Sequence, residues 1–504
     1  IGWCDWSSDV CSSDLFADPP RRVRELRGKG IAPHRPTGHL TLNGASIALH
    51  RRDDWLVCIA GQNRFRRSLE ANGTYCASAY NHYVRNGSVF VVSQGAPPCP
   101  FSSGFGLEGW DSRLIPGATV YLGQSPDVWF DARVRPGGPL RDPLAFWGRT
   151  GRNESPSGGG TSLDGDGVWG MEFIHDHPLF ADNLRFYRSA FCFGGRVTLV
   201  TTGIARTANA GAGECGLTIA TTLWQNAFGS HGRLIDRTGK ERHLAFGWNV
   251  PMKPAPTPPS QEPCWVEGER ITALPWSRTL PPGPPRWLID NKQTGYYLHA
   301  NSPPLHLARR EQTWTFGGAG FARDPAVTRG NFAVAWLDHG AKPDATECAY
   351  TLIPQATPEA MADFALDMSG DDPPYLILQK DARAHVLRDR DTRTTGYLVF
   401  SKEWSPAGPG RPTAGALLAV NRPCSVMIRP SGQGLRLSAA STDMDSWFRE
   451  IVLSGEIVLT LSGRWKPAAG EAEARHEGAK TILRIPFRTF NPVVLALQPA
   501  WPGL

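Results

Sequence analysis

Between residues 64 and 113 the sequence gathers side chains that a purely structural sheet does not require. They are Arg64, Arg67, Glu70, Asn72, Tyr75, Tyr80, Asn81, His82, Tyr83, Arg85, Trp110, Asp111 and Arg113. A guanidinium binds a carboxylate or sulfate through two parallel hydrogen bonds, and aromatic faces stack on sugar rings. This composition therefore fits a groove for an acidic, ring-containing ligand. A row of strand-edge and loop residues facing water has the same composition, so the two readings stand side by side. Tyr80 and His82 are two apart, and on a strand they share a face. That spacing suits a proton-transfer pair, or a stacked tyrosine beside a hydrogen-bonded histidine.

The elements that must carry these residues read as strands. From His39 the pattern alternates, with Ile47 and Leu49, then Trp55, Val57 and Ile59, at the period-2 spacing of half-buried strands. Similar segments recur to about residue 356: SVFVVSQG, ATVYLG, GVWGMEFI, RVTLVTTGI, LTIATTLWQ, GYYLHA and NFAVAWLDHG. Two stretches, 151–167 and 251–286, read as long Gly- and Pro-rich loops of the kind that often bind ligands. TPEAMADFALDM (357–368) is the clearest helix, with Thr357 as N-cap and Pro358 at the first helical position. SGDDPP then reads as a hinge. A second β set follows it, from YLILQ to ILRIPF, and reads as a smaller sandwich.

The boundaries expected are 39–356 for a large antiparallel β domain, 357–372 for the helix and hinge, and 373–504 for the small one. The 54 Gly and 43 Pro among 504 residues agree with many short strands and turns. No apolar run reaches the roughly 20 residues of a membrane span. The net charge of +6 comes from scattered basic residues. It suits a polyanionic partner or a solvated surface, and no basic helix or aromatic-interleaved sheet argues for nucleic acid.

The first fifteen residues fit no element. DWSSDVCSSDL (Asp5 to Leu15) reads as a sequencing adapter translated in one frame, so residues 1–15 are expected to be an artefact. Residues 16–38 then read as the end of a preceding domain and a linker. Outside Cys4 and Cys11, eight cysteines stand alone at positions 58, 76, 99, 192, 215, 264, 348 and 424. No CxxC occurs, so spacing supports no zinc site. His175 and His177 share a strand face without a third ligand in view. Asp164 and Asp166 resemble half of a calcium loop but lack its ladder of ligands.

In the 50–121 region and beyond, the sequence resembles polysaccharide lyase family 8, which includes hyaluronate, chondroitin and xanthan lyases. The pieces occur in order: NGASIALHRRDDW, EANGTYCASAYNHYVRNGSV, EGWDSRLIPGATV, GGGTSLDGDGVWGMEF, RSAFCFGGRVTLVTTGI, TTLWQNAF and AVAWLDHGAKPDATECAYTLIP. ARAHVLRDRDTRTTGYLVF and RPCSVMIRPSGQGLRLSAAS resemble the family's C-terminal domain, and the likeness runs over about residues 38–465. The EGWD form leans toward broad-specificity chondroitin lyases.

The resemblance implies a mainly β fold: a large antiparallel, mutarotase-like super-sandwich followed by a small C-terminal sandwich. An N-terminal α/α toroid is expected before residue 38 and missing from this sequence. The implied chemistry is β-elimination at a uronic acid, with chondroitin sulfate or a hyaluronan-like chain as the acidic substrate and the toroid as intramolecular partner. The family's Asn, His, Tyr and Arg lie on that toroid, so this chain alone is expected to be inactive. The central domain contributes one carboxylate that orients the Tyr/Arg pair. Glu70 is its match, with Glu108 as runner-up.

Arg67, Tyr80, Asn81, His82, Arg85, Trp110 and Arg113 would then line the substrate cleft. No cofactor is implied, although the fold leaves room for a structural divalent cation. The implied location is extracellular or periplasmic, with no membrane or nucleic-acid partner. A non-catalytic carbohydrate-binding or mutarotase-like protein is the alternative.

Overall fold

The computed structural model describes residues 36–63, 84–122 (except 96–97, 101, 107–108 and 112), 155–175, 182–208, 218–228, 234–235, 241–242, 261–316, 326–406, 415–444 and 454–500, with residues 25 and 28–30. Residues 1–15 and most of 16–35 lie outside this set, so the artefact expectation and most of the linker expectation fall on positions not described.

Nearly all the described elements are antiparallel strands. A four-stranded sheet runs Gly38–Leu42, Ile47–Arg52, Trp55–Ala60 and Ser88–Val92. A five-stranded sheet runs, in spatial order, Trp276–Leu280, Leu305–Phe316, Ala326–Gly340, Thr218–Ala227 and Thr119–Leu122. A nine-stranded sheet runs from Glu269–Ile271 at one edge, through Thr346–Ile353, Arg196–Ala208, Asp182–Phe193 and Asp166–His175, to Gly158–Leu163 at the other.

The main core lies where these three sheets meet. It holds Val57 and Ile59 from the first, Leu305, Leu307, Ala333 and Ala335 from the second, and Trp169, Phe173, Phe186 and Leu199 from the third. Opposite-face alternation follows from the strand period of two. On the five-stranded sheet it turns Ala308, Phe332 and Val334 outward, into a second apolar cluster with Trp110, Leu114 and Ile115.

The helix Pro358–Ser369 is capped by Thr357, whose side-chain oxygen accepts from the Ala360 N–H at 3.2 Å. After it, a seven-stranded and a four-stranded sheet enclose their own core around Val426, Leu437, Leu459 and Ile485. A separate apolar layer joins the two sandwiches. Val168, Phe191 and Val200 of the nine-stranded sheet meet Leu387, Leu398 and Met427 of the seven-stranded one. The fold is thus mainly β, as expected.

Three local expectations change. The segment 151–167 is not a loop throughout: Gly158–Leu163 and Asp166–His175 pair as a hairpin at the edge of the nine-stranded sheet. Its glycines are there for close packing. A Cβ on Gly160 would sit 2.0 Å from the Val168 carbonyl oxygen, and one on Gly158 2.5 Å from that of Gln62. In 251–286, residues 264–266, 269–271 and 276–280 are strands. In Ile47–Arg52 the buried face is Ala48 and His50, both at 0% exposure, while Ile47 and Leu49 are only partly buried.

Candidate functional site

The stretch 84–122 lays the candidate residues over the outer face of the five-stranded sheet, and a buried arginine holds it there. Arg188, on Asp182–Phe193, is fully buried. Its guanidinium donates to the Gly87 carbonyl at 2.7 Å, to the Gly117 carbonyl, and to the Thr119 hydroxyl at 2.7 Å. Burial lowers its pKa. Gly87 has φ +82, and a Cβ there would lie 2.6 Å from an Arg188 nitrogen, so the turn needs glycine on both counts.

Two glutamines on the sheet hold the next loop. Gln225 Nε2 donates to the carbonyls of Asp111 (3.0 Å) and Leu114 (3.2 Å), and its Oε1 accepts from the Asp111 N–H at 2.9 Å. Gln312 Nε2 donates to Gln225 Oε1 at 2.7 Å and to the Gly109 carbonyl at 3.1 Å. These bonds hold Asp111 buried beneath Arg113, which reaches the surface, and turn Trp110 inward.

The fixed loop presents a cationic cluster. Arg113 donates to both Asp111 carboxylate oxygens, at 2.8 and 2.7 Å, and keeps 31% of its side-chain surface exposed. Arg310, from Leu305–Phe316, shares this surface. Burial lowers its pKa, Asp111 opposes that shift, and Arg113 adds to it. The Arg310 guanidinium stands 5.7 Å from the ring centre of Trp336, which stacks on His306 at 5.0 Å and 9°. His306 Nε2 is 3.6 Å from Asp338. One half-buried aromatic ring thus lies beside the Arg310 guanidinium, which in turn feels the charge of Arg113, an arrangement suited to a flat sugar face carrying carboxylate or sulfate.

Of the eight residues expected to form the site, the structure describes three. Glu70, Arg67, Tyr80, Asn81 and His82 lie outside the described residues, as does Glu108. Arg113 is at the surface cluster. Arg85 is partly buried and donates to the Ala45 carbonyl at 2.8 Å, so part of its donor capacity holds a backbone turn. Trp110 requires a correction. It is 1% exposed and packs on Phe105 (4.9 Å) and Phe332 (6.2 Å), so its ring faces the core and not a cleft.

Nothing local in the sequence singles out Arg310, Trp336 or His306. Cross-strand pairing puts His306 opposite Trp336, but the residues are thirty positions apart and no local motif joins them. Asp338 and His339, at the end of the same strand as Trp336, make local structural bonds. His339 meets Thr221 at 2.9 Å, and Asp338 accepts from the Gly340 N–H at 2.8 Å. Asp164 and Asp166 serve arginines instead of a calcium ion: Arg436 for Asp164, Arg52 for Asp166, and Arg429 for both.

Comparison with known proteins places this arrangement. The chain is 24% identical over 481 residues to the chondroitin sulfate ABC endolyase of Proteus vulgaris, covering 94% of this chain and 40% of that protein. It therefore spans well under half the length of that relative. In structure it resembles a Paenibacillus xanthan lyase, with TM-score 0.66 and 16% identity over 96% of this chain and 40% of that one. It also resembles the Streptomyces coelicolor chondroitin AC lyase in complex with chondroitin sulphate, with TM-score 0.65 and 15% identity over 96% and 53% of the two chains. These two likenesses concern the fold. The profile of the polysaccharide lyase family 8 super-sandwich domain matches residues 37–365, the stretch that builds the three-sheet core and the cluster above it, and on that match the chain belongs to polysaccharide lyase family 8.

Proposed function

We propose that this chain is the β-rich part of a lyase that cleaves uronic-acid-containing glycosaminoglycans, chondroitin sulfate or a hyaluronan-like chain, by β-elimination. The observation that carries the reading is the family match over residues 37–365, the region holding every candidate residue. In this chemistry the uronic C5 proton becomes acidic once its carboxylate is neutralised by hydrogen bonding. A base removes it, and the C4–O4 bond breaks with general-acid help.

The proton-transfer groups are assigned to the helical toroid that the resemblance implies. Within this chain, Glu70 is the carboxylate that orients them. Arg67, Tyr80, Asn81, His82, Arg85 and Arg113 contact the acidic sugar. The role given to Trp110 passes to Trp336, whose ring is half-buried and flanked by Arg310. Among the described residues no helix is long and apolar enough to cross a membrane. Because the substrate is an extracellular polymer, we place the parent enzyme outside the cytoplasm.

The test is direct. The purified chain should bind chondroitin sulfate in a salt-sensitive way, and Arg113→Ala with Arg310→Ala should weaken binding roughly tenfold, as expected for two lost charge-assisted contacts. Ultraviolet absorbance of the unsaturated uronide should stay at background. Binding no stronger than to a neutral polysaccharide sinks the proposal, and robust turnover sinks the assignment of proton transfer to the toroid.

A further inference from the structure

Three side chains from distant parts of the sequence converge in the seam between the four-stranded and nine-stranded sheets. His39 and His50 stand directly opposite each other on the paired strands Gly38–Leu42 and Ile47–Arg52. Cys192 reaches them from Asp182–Phe193. One nitrogen of each ring and the Cys192 sulfur all lie within 4.8 Å of one another. His50 and Cys192 are at 0% exposure. His39 is half-buried as a residue, yet both of its ring nitrogens are shielded from solvent.

Their hydrogen bonding is incomplete. Both nitrogens of His39 and Nδ1 of His50 are buried without a partner among the described residues. A buried polar atom left unpaired is costly, and native interiors hold few of them. His50 Nε2 lies 3.1 Å from the Gly194 carbonyl. That contact sets the tautomer with the proton on Nε2 and the lone pair on Nδ1. Metal-bound histidines ordinarily use their second nitrogen in this way. Asp166 holds the same turn by accepting the Gly194 N–H at 2.9 Å, and it pairs with Arg52 at 2.7 Å.

The backbone is shaped for this meeting. Gly167 pairs with Cys192 across the sheet. A Cβ on Gly167 would fall 2.0 Å from His39 Cδ2 and 2.5 Å from its Nε2. The imidazole therefore rests on the one strand position beside Cys192 that has no side chain. The inward turn of His50, opposite to what the apolar pattern of its strand suggests, completes the set.

We infer that His39, His50 and Cys192 form a binding site for a thiophilic d10 cation, zinc(II) or copper(I), that staples the four-stranded sheet to the nine-stranded one. The donor set of two imidazoles and one thiolate selects this class over calcium or magnesium, which take oxygen ligands. Metal–nitrogen and metal–sulfur bonds of about 2.0 and 2.3 Å need donors roughly 3.3–3.8 Å apart, so the triangle closes by about 1 Å on binding. Binding replaces the thiol proton with the metal. The S–H bond breaks, an S–metal bond forms, the proton leaves to solvent, and nothing is oxidised or reduced. Copper(I) makes the site neutral and zinc(II) leaves it with one positive charge, and the adjoining Arg52–Asp166 ion pair adds no net charge to either.

The experiment uses the full chain, stripped with a chelator and shown folded by circular dichroism. Zinc(II), and separately copper(I) under anaerobic reducing conditions, are titrated in and the bound metal is counted by elemental analysis. The expected result is one equivalent of at least one ion and a melting temperature several degrees higher. X-ray absorption at the metal edge should show one sulfur and two imidazole nitrogens. Cys192→Ala and His39→Gln should each abolish stoichiometric binding, while Cys99→Ser leaves it intact. No stoichiometric binding of either ion to the folded chain overturns the inference. So does a ligand shell without sulfur, or binding unchanged in Cys192→Ala. The absorption spectrum of the wild-type protein decides the matter even if a variant fails to fold.

Discussion

The Arg188 guanidinium donates to the Gly87 carbonyl at 2.7 Å, so a charge rooted in the nine-stranded sheet fixes the start of the segment that carries Arg113. Among the described residues its hydrogen-bond acceptors are carbonyl and hydroxyl oxygens, with no carboxylate. Its removal leaves several buried carbonyls unpaired, at about 1–3 kcal/mol each. Arg188→Met should therefore lower unfolding free energy by about 3 kcal/mol or more in urea titration. Arg188→Lys should recover only part of it, because an ammonium cannot reproduce the fork. A lysine variant of wild-type stability contradicts this role.

Trp110 and Trp336 should separate packing from ligand contact. Trp110→Ala empties a packed site and should cost about 3–5 kcal/mol. Trp336→Ala removes a half-buried ring and should cost clearly less, while reducing affinity for chondroitin sulfate. Thermal melts and a binding isotherm on both variants check the assignment. If Trp110→Ala keeps its stability and loses binding, the correction made for Trp110 is reversed.

Acid should weaken the joint between the sandwiches. His385 is buried in it, 2.7 Å from the Ser189 hydroxyl and 2.8 Å from that of Thr202, and burial brings its pKa from 6.5 down to about 3. The unfolded chain takes up a proton below about pH 6.5, and the folded chain does not until about pH 3. Stability is thus fully present above pH 6.5 and lost as pH falls toward 3, by roughly 2 kcal/mol at pH 5 from this group. His339, also lowered to about 3, acts in the same direction. His385→Gln should flatten the fall in melting temperature between pH 7 and 5, and an unchanged slope would rule out this source.

Arg196 clamps the same joint. It pairs with Asp389, whose side chain is 1% exposed, and with Asp391 at 2.7 Å. Arg196→Ala leaves the Asp389 carboxylate buried without its cation, although the Thr392 N–H still donates to it at 2.8 Å. A loss of about 3–5 kcal/mol is expected for an orphaned buried charge. In calorimetry the two sandwiches should then unfold as separate transitions. A single transition at the wild-type temperature would show that the apolar layer suffices.

Much of this architecture was legible in residue order. Trp55, Val57 and Ile59 announce a strand by period alone, and Thr357-Pro358 announces the helix that follows them in the capping geometry. The ordered motifs from NGASIALH to WLDHGAKP point to the family. These signals are local: each depends on residues within one or two turns of chain.

The tertiary structure alone decided which faces are inside and which distant residues meet. His50 faces inward against its own strand's apolar pattern, because the seam to Cys192 lies on that side. Trp110 packs into the core because Gln225 and Gln312, more than a hundred residues later, hold its loop against the sheet. The glycine run 158–160 forms a strand because Val168, Gln62 and Asn43 leave no room for side chains. Local period specifies an element, but its buried side is chosen by partners that only the folded chain brings near.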